Sequence, residues 1–192
     1  WFGDAKVEGI HLKVARSGWS KRGGFELYLM DGAKGDQLWQ LVKEAGKPFD
    51  IGLGYLDPSE RTESGLLNFG TDTDGETNPL EVRMEKFVDL GLTDDVIGMA
   101  ALRGIKAKGI ERHQLGILLT GDEENHNQSI WPEIVKDGKV IGHMTNEAWS
   151  YRLERKIGYA LVSVEAKPGD DVRVLKGGSH TNGQLTELPF KI

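Results

Sequence analysis

From Arg112 onward the chain breaks into short strand-like runs parted by turn residues, and that pattern leaves few folds open. The runs are Gln114 to Leu119, Lys139 to Met144, Ile157 to Val164, Val172 to Leu175 and Gln184 to Phe190. Their separators include Lys136-Asp137-Gly138, Lys167-Pro168-Gly169-Asp170 and Asn182-Gly183. Short strands with such punctuation predict a small antiparallel barrel or sandwich. The connection from Gly121 to Pro132 is acidic and polar and predicts a long loop.

The earlier residues follow a different rhythm. Ile10-His-Leu-Lys-Val-Ala alternates with period two and predicts a half-buried strand. Phe25-Glu-Leu-Tyr-Leu repeats the pattern after a polar turn, so the two runs are expected to pair antiparallel. Leu38, Leu41, Val42 and Ala45 have helical spacing over Asp36 to Ala45, with Gly46 read as the C′ residue and Pro48 as a stop. A second helix is expected after Asp57-Pro58, capped by Asp57 or Ser59 and carrying Arg61, Glu63, Leu66 and Leu67. Thr71 to Pro79 reads as a polar loop, and Val96 to Ile105 as a short helix. This order predicts an α+β protein: residues 1–110 form the later part of an α+β domain, and residues 111–192 a β-barrel domain.

Composition narrows the chemistry. The 192 residues suffice for a sizeable core, and 38% hydrophobic with 28% charged residues describes a folded chain. The absence of cysteine removes disulfides, thiolate metal sites and thiol nucleophiles, and fits a reducing compartment. The net charge of −6 comes with scattered bases, so no nucleic-acid partner is expected. No apolar run approaches the roughly 20 residues of a membrane span. The opening Trp1-Phe2-Gly3-Asp4 has neither an initiator Met nor a signal layout, and the chain is expected to be the carboxy-terminal part of a longer protein.

Trp19 and Glu26 are the leading binding candidates. They lie seven residues apart across the polar turn that joins the first two predicted strands. An aromatic ring offers a stacking face, and a carboxylate accepts two parallel hydrogen bonds, which suits a flat heterocycle with N–H donors. The same residues also suit a plain hairpin whose Trp packs at the rim and whose Glu faces water. Asp72-Thr-Asp74-Gly-Glu76 lacks the remaining ligands of a calcium loop and reads as a solvated turn. The five histidines form no ligand pair, so no metal is expected. Gly52 and Gly54 lack the third glycine of a dinucleotide fingerprint. Arg61 and Glu63 point to different helix faces, and a buried Glu63 would need donors around it.

Several motifs together carry a resemblance. Gly18-Trp19-Ser20 with Gly24-Phe25-Glu26 resembles the Gly-Tyr-Thr-Gly-Glu-Asp-Gly-Phe-Glu signature of the glycine-cleavage T-protein (aminomethyltransferase) family. Arg61-Thr-Glu63-Ser-Gly65-Leu is similar to that family's Arg-Leu-Glu-Ala-Gly-Leu, and Asn78-Pro79-Leu80-Glu81 to its Thr-Pro-Leu-Glu. Ile97-Gly98 with Ala101-Leu102, Gly142 with Thr145, and Ile157-Gly-Tyr-Ala continue the resemblance in the family's order. The wording Ala15-Arg-Ser-Gly-Trp-Ser-Lys with Glu60-Arg-Thr-Glu-Ser-Gly-Leu-Leu is most similar to dimethylsulfoniopropionate demethylase-like, tetrahydrofolate-dependent members.

The resemblance implies a cytoplasmic one-carbon transferase. Its fold would be the second half of a ferredoxin-like folate-binding domain followed by the barrel. The cofactor would be tetrahydrofolate, held by Glu26 and walled by Trp19, with Arg61 in support. A methyl group would move from a small donor, a sulfonium or methoxy compound, to N5 of the folate. The partners implied are that donor and the amino-terminal half of the same protein, where the family's catalytic aspartate lies; the fragment alone is expected to be inactive. Trp19 replaces the T-protein tyrosine, Tyr55-Leu56 stands where an arginine is absent, and Asn146-Glu-Ala-Trp-Ser150-Tyr replaces a Ser-Gly and Ser-Pro pair. These departures favour a demethylase over glycine-cleavage aminomethyl transfer. Two rivals remain: a non-catalytic folate-binding protein, and a barrel acting as an interaction module through Gly121 to Pro132.

Overall fold

The computed structural model describes residues 2–19, 23–93, 95–120 and 131–191. Contacts gather the chain into two compact units, Trp1–Glu60 and Arg61–Ile192.

The first unit is built on an antiparallel sheet of β1 (Phe2–Val7), β2 (Ile10–Ala15) and β3 (Glu26–Leu29), in that spatial order. β2 and β3 pair as the alternation predicts. β1 escapes the pattern because Gly3 and Ala5 occupy its apolar positions. Glu8 and Gly9 (φ 45° and 81°) join it to β2 in the left-handed backbone that tight hairpins need. The register sets Gly3, Val14 and Leu27, then Ala5, Leu12 and Leu29, on one apolar face. Phe2, Ala15 and Glu26, then Asp4, Lys13 and Tyr28, share the other.

Helix α1 (Gly35–Gly46) follows as expected, but Gly46 is not its C′ residue. Its φ of −82° is right-handed, and the chain runs on into a 3-10 turn over Lys47–Phe49 that accommodates Pro48. Reversal comes at Asp50, φ 53°. Gly46 is required by proximity instead, since a Cβ there would lie 2.1 Å from Ile51 Cγ2.

Helix α2 (Pro58–Glu63) starts as predicted: Asp57 Oδ1 accepts the Ser59 N–H at 2.8 Å, with Pro58 in the first turn. It ends before Leu66 and Leu67, because the chain turns at Gly65, φ 74°. Helix α3 (Met99–Lys108) begins three residues later than expected, after the left-handed Gly98, φ 84°.

The second unit holds a closed antiparallel barrel in the order β4-β7-β6-β5-β8-β9. Its strands are β4 (Arg112–Thr120), β5 (Glu133–Lys136), β6 (Lys139–Ser150), β7 (Arg155–Ser163), β8 (Asp171–Lys176) and β9 (Ser179–Thr186). Ile117, Ile134, Ala160, Val162 and Val174 have no exposure and form its core. Burying each isoleucine or valine among them contributes about 1.5–3 kcal/mol. The four-residue β5 was missed beside its turn. Asn182-Gly183, read as a separator, lies inside β9; Gly177 and Gly178 (φ 52° and 100°) make that turn instead. Leu188 and Phe190, expected in the last strand, leave it and pack with Ile157 and Tyr159 in a second cluster. The protein is thus α+β with a small antiparallel barrel, the class expected. No helix among the described residues is long and apolar enough to cross a membrane.

Candidate functional site

Glu26 opens β3 directly across from Ala15, at the mouth of the connection carrying Trp19. Strand alternation puts Glu26 and Tyr28 on the same face, and the Tyr28 hydroxyl donates to Glu26 Oε2 at 3.4 Å. The Ser17 hydroxyl donates to the same oxygen from two residues beyond Ala15. Glu26 is therefore exposed yet held, its carboxylate oriented by two hydroxyls. Arg16 Nη1 donates to Gly24 O at 2.5 Å and its guanidinium lies 4.9 Å from the Phe25 ring centroid, which steadies the far side of the connection. Residues 20–22 of that connection lie outside the described residues.

Trp19 is half-buried, and its indole N–H donates to Asp57 O at 3.3 Å. The cap of α2 thereby anchors the indole. Sequence reasoning singled out Trp19 and Glu26 but missed Ser17 and Tyr28. Period two alone would have found Tyr28, since any residue two from a strand carboxylate shares its face.

Arg61 belongs to the second unit and is 4% exposed. Its Nη1 lies 2.5 Å from Asp72 Oδ2 and donates to Leu66 O at 3.1 Å. Asn68 N–H donates to the same Asp72 oxygen at 2.7 Å. Asp72 was read as part of a solvated turn; it is instead 1% exposed and the counter-charge of Arg61. A buried guanidinium demands such a partner, and in one sequence nothing marks which distant carboxylate supplies it.

The same segment is fastened to the barrel. Asn146 Nδ2 donates to Thr62 Oγ1 at 3.1 Å, and Ser150 Oγ to Glu63 Oε1 at 2.7 Å. Arg152 Nε stands 3.5 Å from Glu63 Oε2, so Glu63 is a structural hub satisfied by side-chain donors. The fully buried Tyr159 hydroxyl donates to Thr62 O at 2.9 Å and Arg61 O at 3.1 Å. Burial, with Asp72 nearby, pushes that phenol well above its ordinary range, so it stays a donor at all physiological pH. Glu81 accepts from Arg112 Nε at 2.7 Å and from Asn78 N–H at 3.0 Å.

Asp74 caps its own turn, accepting from Thr77 Oγ1 at 2.7 Å and Glu76 N–H at 3.0 Å. The Thr77 hydroxyl holds its carboxyl below the usual range. Among the described residues no group of three His, Asp or Glu side chains is placed to hold a metal ion. Most of the Gly121 to Pro132 loop, the suggested contact surface, lies outside the described residues.

Residues 1–91 match the family model described as the GCVT N-terminal domain. Residues 112–191 match the glycine cleavage T-protein C-terminal barrel domain. An aminomethyltransferase of Clostridium botulinum strain Langeland is 42% identical over 164 residues, covering 83% of this chain and 42% of that protein. The dimethylsulfoniopropionate demethylase DmdA of Ruegeria pomeroyi is 39% identical over 137 residues, covering 71% of this chain and 36% of that protein. The chain therefore spans half or less of the length of these curated relatives. The crystal structure of the glycine cleavage system aminomethyltransferase T from Bartonella henselae has the same fold, with a TM-score of 0.77 at 20% identity, over 94% of this chain and 50% of that one.

Proposed function

Because the chain belongs to the glycine cleavage T-protein family, we propose that it forms the pterin-gripping part of a tetrahydrofolate-dependent one-carbon transferase. In the finer form of this reading, a methyl group passes from a small donor, a sulfonium such as dimethylsulfoniopropionate or a methoxy compound, to N5 of tetrahydrofolate. The observation that carries it is the Glu26 carboxylate, oriented by Ser17 and Tyr28 beside the Trp19 connection.

The donor chemistry fits the group. A pterin's amino group and ring N–H form a paired donor edge, and a carboxylate accepts both at once. The Trp19 indole, tied to Asp57 O, offers a rigid flat wall for the ring. Bound tetrahydrofolate would supply the N5 lone pair that receives the one-carbon unit. Glu26 orients the ring, the two hydroxyls keep its carboxylate from turning, and Trp19 excludes water from one side. Arg61 belongs to the proposal as a positioning residue, acting through the order it imposes on residues 61–72. Holding acceptor and donor in line contributes on the order of 7–11 kcal/mol to such a reaction.

Two further parts of the reading concern the whole protein. Phe49, Leu53 and Tyr55 are 83%, 82% and 86% exposed, a stretch suited to being covered by further polypeptide. That polypeptide is the amino-terminal half, bringing the catalytic aspartate, and the folate-type domain passes into the barrel near residue 110. The cysteine-free sequence supports a cytoplasmic setting.

Aminomethyl transfer in glycine cleavage is the second reading, favoured by the 42% identity to an aminomethyltransferase. Trp19 in place of the family tyrosine favours the demethylase. The common premise is tested by calorimetric titration of the full-length protein with tetrahydrofolate. Glu26→Gln removes a charge-assisted pair worth about 1.5–3 kcal/mol, so affinity is expected to fall at least about tenfold. Equal affinity in the variant would remove Glu26 from the site. Supplying each donor and assaying for methyl- or methylene-folate separates the two transfer reactions, and the absence of either product leaves a folate-binding protein without catalysis.

A further inference from the structure

The barrel carries a cavity of about 450 Å³, and the register explains its chemistry. One cross-strand row places Thr120 of β4 opposite Asn182 of β9, which in turn faces Arg173 of β8. Arg155, two residues before the Ile157 that pairs with Leu118, extends this row on β7. The row is thus a guanidinium at each end with a hydroxyl and an amide between. The neighbouring row, two residues along each strand and so about 7 Å away, runs from Leu118 through Gln184 to Asp171. Asp137, on the β5–β6 turn two residues beyond the Val135 that faces Arg173, completes that side.

These charges are only partly used inside the protein. Gln184 Nε2 donates to Asp171 Oδ1 at 3.1 Å, and Arg155 Nε to Leu153 O at 3.4 Å. Lys136, beside Asp137, is taken by Asp170 at 2.7 Å. Among the described residues neither Arg173 nor Asp137 has an ion-pair partner, although both line the same hollow. The lining is balanced, two cations against two anions, so a simple anion or cation gains from one row and is repelled by the other.

We propose that this cavity binds a small zwitterion of amino-acid size, its carboxylate set between Arg155 and Arg173 and its cationic end toward Asp137 and Asp171. The guanidinium forks match a carboxylate, and the Asn182 amide adds a neutral donor beneath it, while the Thr120 hydroxyl is taken by Asn182 O at 3.2 Å. Leu118 and Val135 give the carbon chain an apolar floor. The volume leaves space for ordered water, each molecule taking about 30 Å³. Every lining residue belongs to the second unit, so the inference does not depend on the folate reading.

The test uses 4-aminobutyrate as probe, with butyrate and butylammonium as its two halves. Amide correlation spectra of the ¹⁵N-labelled protein are recorded during titration. Saturable shifts are expected at residues 118–120, 171–173 and 182–184. Arg173→Ala and Asp137→Asn, both exposed and the second keeping a residue that tolerates the left-handed backbone at φ 50°, should leave the melting temperature unchanged and each weaken binding about tenfold. Either half-ligand should bind several-fold more weakly than the zwitterion. Absence of saturable shifts, butyrate binding as tightly as 4-aminobutyrate, or an unaffected affinity in either variant would overturn the proposal.

Discussion

Arg61 and Asp72 are both buried, and their opposite charges face each other at 2.5 Å. Removing one partner strands the other charge in a medium that solvates it poorly. Asp72→Ala is therefore expected to cost about 3–5 kcal/mol, read from the denaturant midpoint, whereas the double change Asp72→Leu with Arg61→Met should cost far less. His143 gives a second prediction at this scale. Its ring stacks on Trp131 with centroids 4.9 Å apart, and its Nε2 is buried with no hydrogen-bond partner. Burial holds the imidazole below its ordinary 6.5, with Arg112 adding to the effect and Asp74 opposing it. Below that value the unfolded chain binds the proton before the folded one does. Stability is thus full above about pH 6.5 and declines as pH falls toward the folded value. The melting temperature should drop between about pH 7 and about pH 5, and the drop should be smaller in His143→Phe, which keeps the stack. Neither environment was visible in the sequence. Asp72 looked like any turn acid, and nothing in its own loop marks Arg61, eleven residues earlier on α2, as its partner. The pairing of β2 with β3, which sets Glu26 across from Ala15, was legible because a strand-turn-strand carries its own register.

At the level of elements, two glycines make opposite predictions. Gly158 lies in β7 where it crosses β6, and a Cβ there would come within 2.1 Å of Asn146 O. Gly158→Ala must push two backbones apart and is expected to destabilise the protein by about 1–3 kcal/mol or more. Gly104 sits inside α3 with nothing within 4 Å of a built Cβ. Gly104→Ala should stabilise it by about 0.5–1 kcal/mol through helix propensity alone. Thermal or chemical denaturation of both variants checks the pair. The elements that were legible had strong local signals: the alternation of β2, the helical spacing of α1, the Asp137-Gly138 turn. The errors arose where packing overruled local preference. A Cβ at Gly183 would stand 3.0 Å from the Ile117 side chain, so this glycine makes room in the barrel and not a turn, and Gly46 makes room for Ile51 and not for a helix stop.

On the scale of the whole molecule, the segment after β9 is a fastening. Leu188 and Phe190 are 7% and 5% exposed and pack with Ile157 and Tyr159, joined by Leu67, Leu118 and Leu153. Phe190→Ala should cost about 3–5 kcal/mol. It should also raise amide exchange over residues 61–67, because the cluster that holds Leu67 loses one of its two aromatic rings. Unchanged exchange there would show that the hydrogen bonds of Tyr159 suffice. This long-range closure was beyond the sequence: the run Gln184 to Phe190 reads as one strand, and only the closed barrel shows why it must leave. That closure has a consequence of its own. Among the described residues the six strands joined in a ring leave no edge strand, whereas β1 and β3 each border the small sheet on one side only. Any guest polypeptide that docks by ladder formation can lengthen the three-stranded sheet but must meet the barrel through side chains.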